Sequence, residues 1–348
     1  MKFKTASLLA SMLICLVSCH NPVLDYEGDC EVKYELRFVY DINLDWADAF
    51  PTLVNTVNLY AFDSNGVFVK EYSLTKAEIE VPGYTLTLDL NPGDYTLVAW
   101  AGLETGIEMK ETFSIPEMKP GVSILNDLSC EIITESNSEY SCYSQKRLPF
   151  LYHGMLDVNL PDSQDGASYL YTLYLTKDTN HVRATVQKVD SNITSEEVDL
   201  SIEAEDRVMA WDNSLIDPET VTYLPYSIQD DEILLDEEDE VEGDLYTGIV
   251  ADFMVGRFTT TMKNGVSLKI TNIETGETIF RVPVIKYALM GKSYFEQAYG
   301  KTMTDQEFLD RQSEYFLTFF LDGNLNLLYT EIQILEWRLI IKNYNVDS

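Results

Sequence analysis

Apolar and polar residues alternate at a period of two along much of the chain. A strand with this period buries one face and exposes the other to water, as antiparallel sheets do. The pattern therefore predicts an all-β fold built from short antiparallel strands. The apolar sets are Val32, Tyr34, Leu36 and Phe38; Tyr84, Leu86, Leu88 and Leu90; Tyr169, Tyr171, Leu173 and Leu175; and Val266, Leu268 and Ile270.

Turn residues separate these strands. Asn65-Gly66 and Asn264-Gly265 lie between alternating runs and predict tight hairpins, because both residue types accept positive φ. Pro82-Gly83 and Pro92-Gly93 indicate further turns. Many short strands with such turns favour β-sandwiches. The last strand, over residues 331–343, changes phase, and we expect a β-bulge near Leu335-Glu336 to accommodate the change.

One helix is predicted near the carboxyl end. Thr304 and Glu307 have the spacing of a capping box, in which each side chain satisfies a free backbone amide of the other. Phe308, Gln312 and Tyr315 then share one face of the helix. The helix should end near Tyr315, where the next strand begins. We expect one or two short helices in this half of the chain, with a strand resuming over residues 316–321.

The amino terminus has the three parts of a bacterial signal peptide. Lys2 and Lys4 precede an apolar run over residues 6–17, which is too short to span a bilayer permanently. Leu16-Val17-Ser18-Cys19 resembles a lipobox, in which the cysteine is acylated after cleavage. We therefore expect residues 1–18 to be removed and Cys19 to be lipidated; an ordinary signal peptide with a chance cysteine is the alternative. Residues 19–30 would form an acidic tether, and we expect the lipoprotein to be sorted to the outer membrane and exported to the cell surface.

Chain length predicts two domains after the signal peptide. The segment 161–166 is polar and rich in turn residues, so it is the expected link between them. On this division an amino-terminal sandwich occupies residues 31–160 and a carboxyl-terminal sandwich occupies residues 161–348.

Composition limits the partners. The formal net charge of −34 argues against binding nucleic acid or an anionic membrane surface through charge. Acidic residues are concentrated in the segment 230–244, which we expect to be an exposed loop. A Ca²⁺ site is the alternative there, but the ligand spacing of a calcium loop is absent.

The cysteines allow at most one disulfide in the mature chain. Cys15 leaves with the signal peptide and Cys19 is lipidated, so Cys30, Cys130 and Cys142 remain. Cys130 and Cys142 enclose the shortest loop and form the candidate disulfide, with reduced thiols as the alternative. No pair of cysteines has zinc-ligand spacing, and no metal or cofactor is expected.

No catalytic motif stands out. The run from Asp41 through Asn43 to Asp45 begins like a calcium loop, but Trp46 occupies the position that requires glycine. Gly291-Lys292-Ser293 ends like a P-loop without the glycine that should open it. His153 and His181 have no evident nucleophile nearby, so structural roles are expected for both. We therefore predict that the protein is not an enzyme.

A family resemblance is carried by segments that occur in order through most of the chain. Together they resemble the FimB-type fimbrial anchor lipoproteins of type V pili. The segments are residues 26–30 after the lipobox, 38–41, 57–63 with Gly66, 90–95 with 100–102, 175–183, 306–315, 318–322, and 332–334 with Trp337. Residues 104–147 and the acidic segment have no recognisable counterpart.

The resemblance implies two transthyretin-like antiparallel β-sandwich domains and a non-enzymatic role. Such proteins tether a pilus to the outer membrane and can limit its length. The expected partner is a fimbrial shaft or accessory pilin, which would pair with a sheet edge by β-augmentation. Only residues 344–348 follow the last predicted strand, so we expect this subunit not to donate an additional carboxyl-terminal strand and to sit at a chain end.

Two other functions remain open. The second hypothesis is a surface adhesin or glycan-binding lipoprotein, with sugar or host ligands stacked on exposed aromatic rings. The candidate rings are Tyr140, Tyr143, Tyr223 and Tyr226, which could equally fill sheet faces or loops. The third is a cell-surface hydrolase, for which no pair of carboxylates is singled out.

Overall fold

The structure is a computed structural model. It describes residues 32–103, 112–162, 166–217, 219–233, 246–262, 265–334 and 337–342. Within these ranges, 22 strands form five sheets, and the helices are short. The predicted signal peptide, Cys19, the tether and Cys30 lie outside the described residues.

The strands and helices have the following bounds. The strands of the first half are β1 Lys33–Val39, β2 Val57–Asp63, β3 Phe68–Leu74, β4 Leu86–Thr87, β5 Gly93–Ala101, β6 Phe113–Ser114, β7 Ser129–Ile132, β8 Tyr143–Ser144, β9 Tyr152–Leu160, β10 Ser168–Tyr174 and β11 Thr176–Lys177. Those of the second half are β12 Asn180–Lys188, β13 Val198–Ala204, β14 Val208–Ala210, β15 Val221–Tyr223, β16 Ser227–Ile233, β17 Tyr246–Val255, β18 Ser267–Asn272, β19 Thr278–Pro283, β20 Glu314–Leu321, β21 Leu327–Ile334 and β22 Trp337–Lys342. The α-helices are α1 Phe50–Leu53, α2 Lys76–Ile79, α3 Val284–Met290, α4 Lys292–Tyr299 and α5 Asp305–Arg311.

The first sandwich packs a three-stranded sheet, β10-β1-β4, on a five-stranded sheet, β11-β9-β5-β2-β3. On β1, Tyr34, Leu36 and Phe38 are buried, so the predicted alternation is confirmed there. Leu59 of β2 and Leu97 of β5 face them from the other sheet within one core. The apolar period of two in the sequence is therefore the buried face of this sandwich.

The five-stranded sheet is covered on its second face as well. Phe62 and Trp100 belong to the second core, together with Phe113 of β6 and Cys130 of β7. The small sheet β14-β7-β6 thus packs between the two halves. Burial on both faces explains why β5 ends in a continuous buried run, Leu97 to Ala101, rather than an alternating one.

The second sandwich packs a six-stranded sheet, β16-β17-β12-β20-β21-β22, on a five-stranded sheet, β19-β18-β13-β15-β8. The all-β class is confirmed. The sheets are mixed rather than purely antiparallel, because β1 with β10, β12 with β20, and β8 with β15 are parallel pairs.

The predicted domain boundary after residue 160 does not match the strand pairing. β10 pairs with β1 from Lys33↔Ser168 to Val39↔Tyr174, and β11 pairs with β9. From β9 to Lys177 the chain therefore belongs to the first sandwich, and the polar segment near residue 161 only passes from one of its sheets to the other. Conversely, β7 and β8 pair with β14 and β15 of the second half.

Three other expectations are corrected. Residues 331–343 are not one bulged strand: β21 and β22 form an antiparallel hairpin that closes at Ile334↔Trp337. Asn264-Gly265 does not join paired strands, because β17 and β18 belong to different sheets. The acidic segment begins as strand β16, paired with β17 to Ile233, and residues 234–245 lie outside the described part.

The Asn65-Gly66 hairpin and the predicted helix are confirmed. Gly66 has a φ of 71°, and β2 pairs with β3 across it. Thr304 caps α5 by accepting a 3.0 Å hydrogen bond from the Glu307 backbone N–H. The helix ends at Arg311, a turn earlier than expected. The second half has three short helices rather than one or two, since α3 and α4 precede it.

Candidate functional site

The link between the two sandwiches is a short buried polar segment. Lys177 ends β11 and Asn180 begins β12, and both of them, with Asp178 and Thr179 between, are buried. The Asp178 backbone N–H donates to the Leu151 carbonyl at 2.7 Å, and Thr179 Oγ1 accepts from the Leu151 N–H at 3.2 Å. The link is therefore hydrogen-bonded to both the C=O and the N–H of Leu151, the residue that precedes β9 in the first sandwich.

A buried charge cluster surrounds Asp178. Its carboxylate accepts a 2.9 Å hydrogen bond from Asn213 Nδ2 and lies 3.5 Å from Arg257 Nε. The Arg257 guanidinium also donates to the Asn213 carbonyl and, at 3.0 Å, to Asp310 of α5. Burial raises the pKa of Asp178 to about 7, and Arg257 opposes that shift. The cluster ties the link to the second sandwich and its last helix.

Lys177 is buried on the other side of the link. Its ammonium lies 3.6 Å from the centre of the Phe150 ring and donates to Ser313 Oγ at 3.1 Å. Burial lowers the pKa of Lys177 to about 8. The link therefore carries one basic and one acidic residue, and each has its own partners.

A second contact joins the first sandwich to the helices of the second. Arg311 of α5 lies 3.5 Å from the centre of the Trp46 ring and donates to the carbonyls of Asp41 and Asn43 at 2.9 and 3.2 Å. Lys301 stacks on the same ring at 3.4 Å. The loop that began like a calcium site in the sequence is thus a docking loop between the halves.

His181 and Arg183 form an ion cluster on the six-stranded sheet. His181 lies 2.8 Å from Asp252 and 2.7 Å from Glu314, and Arg183 makes a two-point contact with Asp252. The hydrogen bond to Glu314 raises the pKa of His181. His153 is buried, contacts the Trp211 carbonyl at 2.8 Å, and has its pKa lowered to about 4 by burial. The His181 contacts join β12 to its neighbours β17 and β20, whereas the His153 contact joins β9 to the residue that follows β14.

The candidate disulfide is not formed. Cys130 and Cys142 are both buried free thiols. Cys130 pairs with Met209 in the small sheet, whereas Cys142 precedes β8 in a sheet of the second sandwich. β7, which contains Cys130, and β8, which follows Cys142, therefore belong to different sheets. Burial raises the pKa of each thiol, which keeps it protonated.

The four candidate sugar-stacking tyrosines do not form one surface. Tyr223 is buried and donates to Asp206 at 2.8 Å. Tyr226 is half-buried beneath Arg147, 5.8 Å from its ring centre. Tyr140 and Tyr143 pack on each other with ring centres 5.9 Å apart.

An open polar cleft of about 490 Å³ lies at one end of the first sandwich. Asp63, Asp94 and Asp157 line it beside Tyr95 and Asn159. Asn159 Nδ2 donates to Asp94 at 2.7 Å, and Asp63 accepts from two turn amides, of which the Val67 N–H lowers its pKa most. Carboxylates, an amide and an aromatic ring in one concavity suit a hydroxylated or cationic ligand.

The sequence did not single out this cleft, and it showed the docking loop only as an incomplete calcium loop. Asp94, Asp157 and Asp63 are adjacent only because β5 pairs with both β9 and β2. Trp46 has a positive φ of 55°, which no local sequence signal specifies. The resemblance did emphasise residues 175–183 and 306–315, and these are the segments that meet at the junction.

Within the described residues, no helix is long and apolar enough to cross a membrane. No group of three or more histidine, cysteine or carboxylate side chains is placed there to hold a metal ion.

The model of the fimbrillin-A associated anchor proteins Mfa1 and Mfa2 matches residues 26–343, which include both sandwiches and the junction. The chain belongs to this Mfa2 family of fimbrial anchor proteins. The resemblance seen in the sequence is therefore confirmed, and no enzymatic family is indicated. As a member of the Mfa2 family, the chain is associated with fimbriae. No curated protein sequence matches the chain.

Solved structures share the fold across nearly the whole chain. A candidate adhesin from Bacteroides thetaiotaomicron VPI-5482 is 27% identical, covers 89% of this chain and 97% of its own, and has a TM-score of 0.74. A candidate polysaccharide-binding protein from the same organism is 25% identical over 91% of this chain and 100% of its own, with a TM-score of 0.72. The fimbrial anchor protein Mfa2 from Porphyromonas gingivalis is 16% identical over 90% and 99%, with a TM-score of 0.63.

Proposed function

We propose that this Mfa2-family protein is a lipid-anchored fimbrial subunit that tethers the shaft to the outer membrane. The observation that carries the proposal is the family match over residues 26–343, which extends through both sandwiches. The match begins a few residues after Cys19, the cysteine that the lipobox assigns for acylation. Several acyl chains on that residue would give stable anchoring, where a single chain is marginal.

The junction suits a subunit that transmits force. A tether must pass the pull of a filament from one sandwich to the other. Here the link is buried, and the second contact, between Arg311 and the loop around Trp46, joins the halves at another point. Load on either sandwich is therefore shared between two contacts rather than carried by an exposed linker.

The shaft would be held by strand complementation. A shaft subunit adds a strand to an open sheet edge, with backbone hydrogen bonds for affinity and side-chain pockets for specificity. A subunit fixed in the membrane by its lipid occupies the end of the fibre, so its incorporation would also limit fibre length.

Purification from detergent-solubilised envelopes tests the proposal. The tagged full-length lipoprotein should retain the fimbrial shaft subunit of the same bacterium, identified by mass spectrometry. Recovery of the lipoprotein from cells with intact fimbriae, but without any fimbrial subunit, would contradict a structural place in the fibre.

A surface adhesin or glycan-binding lipoprotein is the alternative function. Two solved relatives at 25% and 27% identity are a candidate polysaccharide-binding protein and a candidate adhesin. The cleft beside Tyr95 offers the matching chemistry. Retention of a soluble glycan by the purified protein, weakened by Tyr95→Ala and not by Tyr143→Ala, would support this function. Absence of retention across neutral and amino sugars would oppose it.

A further inference from the structure

The outer strand of the second sandwich has an open side. β22 pairs with β21 over six residues, from Tyr329↔Lys342 to Ile334↔Trp337. It is the end strand of its six-stranded sheet, and no described strand pairs with its other side. Alternate N–H and C=O groups along that side point away from the sheet, where another chain can pair with them.

Several other edges in the described part of the chain are partly covered or carry residues that oppose pairing. The Phe68 N–H of β3 donates to the Ser123 carbonyl at 2.9 Å, so a loop covers the start of that edge. The last residue of β10 lies against β9, because a Cβ on Gly154 would meet the Tyr174 carbonyl at 2.6 Å. β16 carries the acidic run Asp230 to Glu232, and β19 ends at a proline. Charge and proline are the usual means by which edge strands resist pairing.

The apolar core opens at β22. Two rows of side chains cross the last three strands of the sheet. Leu317, Ile332 and Leu339 form one row, in which the first two are 2% and 3% exposed and the third is only partly buried. In the other row, Phe319 and Thr330 are fully buried and Ile341 is partly buried. A further strand would extend both rows and cover Leu339 and Ile341.

The outward face of β22 is basic and apolar. Arg338 and Lys342 flank Ile340, which is 54% exposed, and the strand has no acidic residue. Arg338 Nε lies 3.5 Å from a carboxylate oxygen of Glu331 on the neighbouring strand β21. The protein as a whole has a formal charge of −34, so a second copy would approach this edge against strong overall repulsion. A segment that alternates apolar residues with acidic or neutral polar residues complements both faces of the strand.

We propose that β22 is the edge at which an extended segment of a fimbrial shaft subunit adds a strand. Apolar side chains of that segment would cover Leu339 and Ile341, and its acidic or polar side chains would lie on the face that carries Lys342. The inference rests on the proposed fimbrial function and identifies the edge that serves it.

Site-specific photocrosslinking in the native bacterium tests the edge. Benzoylphenylalanine replaces Ile340 on β22 in the full-length lipoprotein, and Ile228 on β16 in a matched control. Both isoleucines are exposed and lie on the two end strands of one sheet. After irradiation, the substitution at position 340 should give a band shifted by the mass of a shaft subunit, whose identity is read by mass spectrometry. The substitution at position 228 should not.

The other outcomes are informative in different ways. A shaft adduct from position 228 but not from position 340 would overturn the choice of edge. So would adducts from neither position in cells whose shaft subunit still co-purifies with the lipoprotein, and the fimbrial function would then stand. An adduct with a second copy, or with residues 343–348 of the same chain, would show that this edge binds that segment and not a shaft subunit. If the shaft subunit did not co-purify with the wild-type lipoprotein at all, the proposed fimbrial function itself would be contradicted.

Discussion

Arg257 is the residue on which the buried charge cluster depends. Its guanidinium is the cation nearest the fully buried Asp178 and also contacts Asp310. Removing one member of a buried ion pair leaves an uncompensated charge, which typically costs about 3–5 kcal/mol. We therefore expect Arg257→Ala to lower the free energy of unfolding by about 3 kcal/mol or more, measured by urea denaturation.

Arg281→Ala is the matched control for that prediction. Arg281 pairs with Glu203 at 2.6 Å, but its side chain is 46% exposed. Exposed pairs contribute at most about 1 kcal/mol, so this variant should unfold at nearly the wild-type urea concentration. Equal losses for the two arginines would show that the buried cluster does not stabilise the junction.

Asp206 makes stability depend on pH. It is fully buried, accepts a hydrogen bond from Tyr223, and has its pKa raised by burial from the ordinary 3.8 to about 7. The folded protein therefore holds a proton between these pH values that the unfolded chain releases. Stability from this group is greatest below pH 3.8 and is lost as the pH rises through about 7.

Asp206→Asn should abolish the loss of stability that accompanies deprotonation of Asp206. Relative to wild type, the variant should gain stability between about pH 5 and about pH 8, by an amount on the order of 2–4 kcal/mol. Urea midpoints at the two pH values measure the change. A constant difference between Asp206→Asn and wild type at both pH values would mean that Asp206 does not titrate in this range.

Among the secondary-structure elements, helix α5 depends on its amino-terminal cap for stability. Thr304 accepts the Glu307 N–H, and the same helix supplies Arg311 to the docking loop and Asp310 to the charge cluster. Thr304→Ala should cost about 1 kcal/mol and lower the thermal midpoint, whereas Thr304→Ser should keep most of the stability. An equal loss in both variants would attribute the effect to the threonine methyl group instead.

Local pattern predicted individual elements well. Tyr34, Leu36 and Phe38 of β1 alternate because one face is buried, and the cap of α5 is formed by residues close in sequence. Such features depend on neighbours two to four positions away. The phase change near residue 335 was also visible, but a bulge and a hairpin produce the same shift of apolar positions. Only the pairing Ile334↔Trp337 distinguishes them.

Long-range pairing could not be predicted from pattern. The alternating set Tyr169 to Leu175 was recognised as a strand, yet its parallel partner β1 lies more than a hundred residues earlier in the sequence. The polar segment near residue 161 therefore looked like a domain boundary when it only crosses the first sandwich. Cys130 and Cys142 are close in sequence, but β7, which contains Cys130, and β8, which follows Cys142, belong to different sheets.

At the scale of the whole molecule, two sandwiches of the Mfa2 fold are joined by a buried link and a docking loop. The family match gives the chain a place in fimbriae. Cys19 supplies the proposed membrane end of the tether, and the open side of β22 supplies the proposed shaft end. Tethering therefore requires both ends to be in use on the same molecule.

Cell fractionation of a Cys19→Ala strain tests the proposed tether between the fimbrial shaft and the outer membrane. The measured quantity is the share of the shaft subunit that stays with the cells after shearing, compared with the share in the medium. Without the lipid, filaments should be lost from the cells or released, while Cys30→Ala, which changes a cysteine outside the lipobox, should retain them as wild type does. Filaments that stay cell-bound in the Cys19→Ala strain would contradict anchoring through this protein.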